Sequence, residues 1–515
     1  MSRTHRFLGG VSLGYVSLVL TTVVGLWLTP FLLGRIGTHD YGLWLITTQI
    51  LGYLMLLDLG VVALAPREMA YATGRVIQGG ADEIAPTFAR FRRIVGWQVI
   101  PTAIVCALAW WMIAGRWEEL RWPLAAIVAA FLIAFPLRLY HATLQGLQEL
   151  AFLGKVQLAS WMAGMAVTVA LVLGGVGLAA LAAGWIVTQA MSATVCALRL
   201  RSHFAALWHA EAPSTSVADA REVFQRSGWV SLSQVGQVFL NGSDVLLLGA
   251  ILGPAATVPY VCTGKLITVL AHQPQLLMQA AAPAIAEMRT SASREHLTRV
   301  AVALMRAMLI LSGAVACFVL AANETFVVWW VGREQFAGVT LTVLLLAVML
   351  ARHFATTMVY ALFSFGYEKR LSLTALADGA VVLVVTAVLA STTGLGLASA
   401  ALGSLAGVVL VSIPACGVAL ASELRIGVGS LVASLRGWAI RFAVAAALCL
   451  AGARVLDVDG FFGVATIGLG VAVVYGALMW PLALEAPLGP YVRAGAASAA
   501  AFFRVRSEAI PESRV

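Results

Sequence analysis

The sequence predicts an all-α, polytopic integral membrane protein of about 14 transmembrane helices. They form two pseudo-symmetric six-helix lobes, followed by two extra C-terminal helices. Composition, run length and an internal repeat predict this. Of 515 residues, 61% are hydrophobic and 11% charged, with a mean hydropathy of +0.92, which excludes a soluble globular protein. Apolar runs of about 20 residues, enough to cross roughly 30 Å of hydrocarbon, fill most of the chain. They lack the period-two alternation of outer-membrane strands and so read as helices. Finally, four motifs recur in one order about 219 residues apart. Trp110-Trp111 with Gly115-Arg116 returns as Trp329-Trp330 with Gly332-Arg333, and the Leu-Gly segment ending at Tyr41 returns ending at Tyr260. Gly177-Leu178-Ala179 returns as Gly396-Leu397-Ala398, and a turn at Gly146 as one at Gly366. Such duplication is how many transporters are built.

The predicted spans are 9–33, 43–65, 94–114, 123–143, 157–174, 178–198, 229–251, 258–282, 300–322, 337–363, 372–391, 397–420, 438–453 and 462–483. The first is too long for a signal-peptide core and reads as an uncleaved span. Spans 1–6 match spans 7–12, giving lobes at 1–228 and 229–421, with spans 13 and 14 and a tail at 422–515. Each copy holds an even number of crossings, so both should have one orientation, and a space between them could open to either face by rocking.

The net charge of +9 is not a nucleic-acid signal, because its distribution follows the positive-inside rule. Of 33 basic residues, 26 fall in the loops on the N-terminal side, Arg138 among them, and only Arg35, Arg116, Arg121, Arg333 and Arg454 on the other. Both termini are therefore expected in the cytoplasm. In the 67–93 loop, Ile84, Phe88 and Phe91 alternate with arginines, as in a helix lying among headgroups or in an ordinary basic loop. The six cysteines sit in or beside apolar spans without pairing motifs and read as packing residues. No Walker loop, HExxH, GxSxG or paired-carboxylate motif occurs. No catalytic residue, metal or cofactor is expected, and any work must come from a gradient.

Ionisable residues inside spans are costly and so are the first site candidates. They are Asp58, Asp244, Lys265, Arg352 and Asp378, none with an ionisable counterpart one repeat away. Asp244 and Lys265 flank one outer turn at depths of about 10–12 Å, which suits either a structural ion pair or a cavity. Arg352 lies mid-span with no acid in its own span and is expected to face a polar cavity. Asp58 could bind a coupling cation or serve packing. Asn241 and His272 could add polar cavity surface or bond between helices.

Thr29 to Ile46 (TPFLLGRIGTHDYGLWLI), Tyr53 to Ala70 (YLMLLDLGVVALAPREMA) and Ser243 to Leu266 (SDVLLLGAILGPAATVPYVCTGKL), with Pro283 following, carry a family resemblance. The chain resembles the polysaccharide-biosynthesis, O-antigen type flippases of the superfamily that includes multidrug and toxin extrusion proteins. Pro259 departs from the family pattern. The resemblance implies two six-helix lobes in a V and an undecaprenyl-diphosphate-linked glycan as cargo, flipped by alternating access in the bacterial inner membrane. It also implies a glycan polymerase and glycosyltransferases as working partners. Lys265 and Arg352 could meet the diphosphate. A cation-coupled small-molecule exporter of the same fold is the nearest alternative. A membrane-embedded polymerase or glycosyltransferase is another, opposed by the short outer loops.

Overall fold

The computed structural model describes residues 3–77, 83–209, 217–291, 293–433, 435–456, 458–486, 488–490 and 492–493. Among them the chain is helical throughout, and it divides into two compact units, Met1–Val258 and Pro259–Val515.

In the first unit, α1 (Arg3–Leu54) leaves the helical region at Gly37, with φ 81° and ψ 169°. The Thr29 and Tyr41 hydroxyls nonetheless lie 3.2 Å apart. On an unbroken helix these residues would stand about 18 Å apart along the axis. The chain therefore folds back at Gly37, where the missing Cβ permits the positive φ. There follow α2 (Val61–Ile77), α3 (Ile84–Arg116), α4 (Arg121–Ala134), α5 (Arg138–Gly146), α6 (Leu150–Leu173), α7 (Leu178–His203), the short α8 (Ala205–Trp208) and α9 (Val217–Leu252). Fully buried Phe88, Phe131 and Phe135 anchor the packing of α3 and α4.

The boundary between units falls inside α10 (Pro254–Thr263). The second unit continues with α11 (Lys265–Leu270), α12 (His272–Ser291), α13 (Arg294–Val331), α14 (Val339–Ser364) and α15 (Glu368–Thr392). Then come α16 (Ala398–Gly407), a π turn at Val408–Ser412, α17 (Ile413–Leu424), α18 (Val428–Ala433), α19 (Arg436–Leu456) and α20 (Gly460–Leu484). One core gathers Met305, Met358, Leu420 and their neighbours from α12–α14 and α17. A second gathers Cys317, Cys449, Val471 and Tyr475, docking α19 and α20 on α13.

Ten helices are long and apolar enough to cross a membrane, or 13 if each of three bent pairs counts once. That reckoning treats Ser17–Asp58 as a single crossing. The reversal at Gly37 adds one more, so each predicted span has its helix among the described residues. Exposed Ile100, Ile133, Leu410 and Leu469 leave apolar outer faces suited to lipid.

The duplication appears in local geometry. Left-handed residues Gly37, Gln148 and Gly177 return as Gly253, Gly366 and Gly396, at 216, 218 and 219 residues. The helices α6 and α7 touch where a Cβ on Gly184 would strike Thr168 Oγ1 and the Gly164 carbonyl. The helices α15 and α16 repeat that lock, with Gly403 against Thr386 Oγ1 and the Val382 carbonyl. Small residues let membrane helices approach this closely.

Two expectations need correction. The turn matching Gly366 is made by Gln148, because Gly146 packs on α2, where a Cβ would lie 2.6 Å from the Pro66 carbonyl. Phe88 and Phe91 do not lie among headgroups: both are buried on a helix continuous with the third span. All six cysteines are buried and free.

Candidate functional site

Among the described residues each unit holds one buried carboxylate clasped by an arginine. In the first, the chain breaks after Asp58 through left-handed Leu59 and Gly60. The break frees backbone groups that an apolar setting must satisfy internally. Asp58 Oδ1 accepts the Gly60 N–H at 2.9 Å, and the Asp58 carbonyl accepts from Gln98 Nε2 at 2.9 Å. Arg138 Nη2 lies 3.3 Å from Asp58 Oδ2. Asp58 thus ties the break to α3 and α5 as an internal ion pair. Arg138, grouped by charge with the loop cations, belongs instead to the broken fourth crossing, bent by 46° just before it. Arg138 Nη1 and Gln98 Oε1 keep no hydrogen-bond partner among the described residues.

In the second unit Arg352 of α14 meets Asp378 of α15 in a two-pronged bridge, Nη1 to Oδ2 at 2.5 Å and Nη2 to Oδ1 at 3.0 Å. Arg352 Nη2 also donates to the Ser404 carbonyl at 3.2 Å. Ser412, in the π turn, donates to Asp378 Oδ2. The wider turn sets Ser412 over the carboxylate, as π turns re-aim side chains at special positions. The acid absent from Arg352's own span is therefore supplied by the neighbouring helix. Beside it, buried His353 Nδ1 shares a 2.6 Å hydrogen bond with Ser312 Oγ.

The remaining candidates are dispersed. Lys265 begins α11 just past the 53° bend that separates it from α10. It is partly buried, and among the described residues it forms no salt bridge. His272, at the start of α12, is exposed. Asp244 lies on α9, where the ring of Phe239 stands 6.1 Å from that of Tyr53. The Asn241 side chain lies outside the described residues.

An apolar groove of about 690 Å³ runs along α13, α14 and α19, lined by Leu309, Leu350, Phe354 and Phe442, with Arg436 in its wall at the start of α19. Sequence periodicity did not reveal it, since it depends on which faces of three helices stay uncovered. At the same end of the unit, Tyr367 Oη donates to Glu423 Oε2 at 2.8 Å. That bond holds the Tyr367 hydroxyl above the usual tyrosine pKa. Arg289 Nη2 lies 3.4 Å from Glu423 Oε1 and closes the cluster.

Two internally braced helical units, paired intramembrane charges and an apolar groove define a polytopic α-helical membrane protein. Its fold is similar to that of an inward-facing multidrug resistance MATE family transporter of the MOP superfamily, at 13% identity and TM-score 0.54, over 79% of this chain and 95% of that one. It is also similar to the lipid II flippase MurJ in an inward closed conformation, at 10% identity and TM-score 0.58, over 92% and 99%. An outward-facing MATE transporter matches at 14% identity and TM-score 0.51, over 83% and 94%. The family model described as "Polysaccharide biosynthesis protein" matches residues 91–333. That match covers just under half of the chain, and the likeness to the solved structures is one of fold. No curated protein matches the sequence significantly.

Proposed function

We propose that the protein flips a lipid-diphosphate-linked oligosaccharide, of the undecaprenyl type, across the bacterial inner membrane by alternating access, for cell-surface polysaccharide biosynthesis. In this reading both termini are cytoplasmic, and residues 1–228 and 229–421 are the two lobes. The observation that carries it is the groove. An isoprenoid tail needs a long apolar face and a diphosphate needs a cation at its end, and Arg436 offers one beside Leu350, Phe354 and Phe442. Lys265, with no salt bridge among the described residues, is the second cation available to an anionic cargo. The exporter alternative needs an intramembrane carboxylate free to take a cation. Asp58 and Asp378 are each held by an arginine, which weighs against it at those two positions and leaves it Asp244.

The test is to remove the gene and assay lipid-linked repeat units on each leaflet. They should accumulate on the cytoplasmic side; normal appearance outside rejects the assignment. A narrower test fills the groove. Ala351→Trp and Ala439→Trp, at two lining positions, should each cut glycan export at least about tenfold, since an indole excludes the tail from well over 1.4 kcal/mol of apolar contact. Membrane insertion should be normal. Arg436→Gln should weaken export less, because it leaves the apolar face intact. Unchanged export in both tryptophan variants removes the groove from the cargo path.

A further inference from the structure

A second cavity lies at the opposite end of the second unit, the end that the charge pattern assigns to the outside. It encloses about 380 Å³ between α13, α14 and α19, within the range of small-ligand sites. Unlike the groove, it is lined by charge: Glu324, Arg333, Arg454 and Asp459 share its wall with Asn323 and Thr342. Among the described residues two guanidiniums balance two carboxylates along its wall. Among the described residues one pair is closed, Arg333 Nη1 to Glu324 Oε1 at 3.3 Å. Asp459 occupies the N-cap position of α20 yet makes no side-chain capping bond, which leaves its carboxylate available.

Asn323 provides the decisive detail. It is 1% exposed, and its Nδ2 donates to the Thr263 carbonyl at 2.9 Å and to Thr342 Oγ1 at 3.0 Å. Those two acceptors fix the amide's orientation. They leave Oδ1 buried without a hydrogen-bond partner among the described residues. An unmet buried acceptor costs about 1–3 kcal/mol, so the wall of this cavity asks for a donor.

The surroundings say what kind of molecule brings it. Trp329 lies tilted against Phe461 at 5.9 Å, and Phe461 meets Phe462 edge-on at 5.9 Å. All three rings are exposed, Phe462 at 83%. Exposed aromatics grouped at helix ends mark the headgroup level of a bilayer. Val455, at 84% exposure, continues this apolar surface beside the cavity.

We propose that this cavity binds the headgroup of a zwitterionic phospholipid bearing a primary ammonium. Its phosphate sits against Arg454 and Arg333. Its ammonium, with three donors, reaches Asn323 Oδ1 and the carboxylates of Asp459 and Glu324. The acyl chains stay in the bilayer along α19 and α20. The lipid so held would fasten the two C-terminal helices to α13 at the outer surface.

Native mass spectrometry and melting of the delipidated full-length protein test this. The additions are phosphatidylethanolamine, phosphatidylcholine, phosphatidylglycerol and water-soluble phosphoethanolamine. Phosphatidylethanolamine should be retained about tenfold better than phosphatidylcholine, which lacks N–H donors, and than phosphatidylglycerol, which lacks the cation. Asp459→Asn and Arg454→Gln, both at exposed side chains, should erase that preference while leaving the lipid-free melting temperature unchanged. Equal retention of the three lipids by the native chain overturns the proposal. So does a preference that survives both substitutions, or stabilisation by phosphoethanolamine equal to that by the lipid.

Discussion

Replacing Asp378 with alanine is expected to destabilise the protein by about 3–5 kcal/mol, the cost of leaving a buried charge without its partner. Asp378 is fully buried and takes both prongs of Arg352 together with the Ser412 hydroxyl. Without it, the guanidinium keeps, among the described residues, the Ser404 carbonyl at 3.2 Å and remains far from either end of a 26-residue helix. Arg352→Ala should cost a similar amount, since it strands the carboxylate. The double substitution should cost clearly less than the two singles added together, because it removes both charges at once. Thermal unfolding of the four proteins in one detergent supplies the cycle. Additive losses would mean that the pair is no clasp, and Arg352 would regain its standing as a free cavity cation. A large coupling means that an anionic cargo can engage Arg352 only by displacing Asp378.

The positions of the crossings were legible in the sequence because hydrocarbon thickness sets their length and unpaired backbone forbids anything but helix. The turn at Gly366 was legible too, and the repeated motifs at Gly177 and Gly396 fall at two others, since a positive φ selects glycine. The matching turn at Gln148 was not, because a left-handed glutamine leaves no compositional mark. The intramembrane charges stood out by their cost, but their partners did not. Asp378 is 26 residues from Arg352 and on another helix, and no spacing rule links them. Arg138 lies close enough to the end of its predicted span to count equally well as a loop cation. Folding places it on Asp58. The π turn at Val408–Ser412 arises in an apolar stretch whose composition suits an ordinary helix, so the hydroxyl it delivers to Asp378 was invisible. The groove and the charged cavity depend on which helix faces remain uncovered, which is a property of packing and not of pattern.

The second large effect should come from single methyl groups at the two glycine–threonine locks. Alanine is the better helix former by about 0.8–1.0 kcal/mol, so Gly→Ala in an open helical position should stabilise. Gly25, with nothing within 4 Å of its missing Cβ, is such a position. Gly184→Ala and Gly403→Ala should go the other way. The added carbon at Gly184 would lie 2.6 Å from the Gly164 carbonyl and overlap Thr168 Oγ1. At Gly403 it would lie 3.0 Å from the Val382 carbonyl and overlap Thr386 Oγ1. A threonine hydroxyl can turn away, but a helical carbonyl cannot, so relief requires the two helices to separate. Overpacking of this kind costs about 1–3 kcal/mol, enough to outweigh the propensity gain. Removing the hydroxyl with Thr168→Ala should restore part of the loss in the Gly184→Ala background, and Thr386→Ala should do the same for Gly403→Ala. The carbonyl contact is tighter at Gly184, so its loss should be the larger and its rescue the less complete. Melting temperatures that rise for all three glycine substitutions alike would show that these helices are not in register at the locks. The duplication would then lose the structural feature that most directly expresses it.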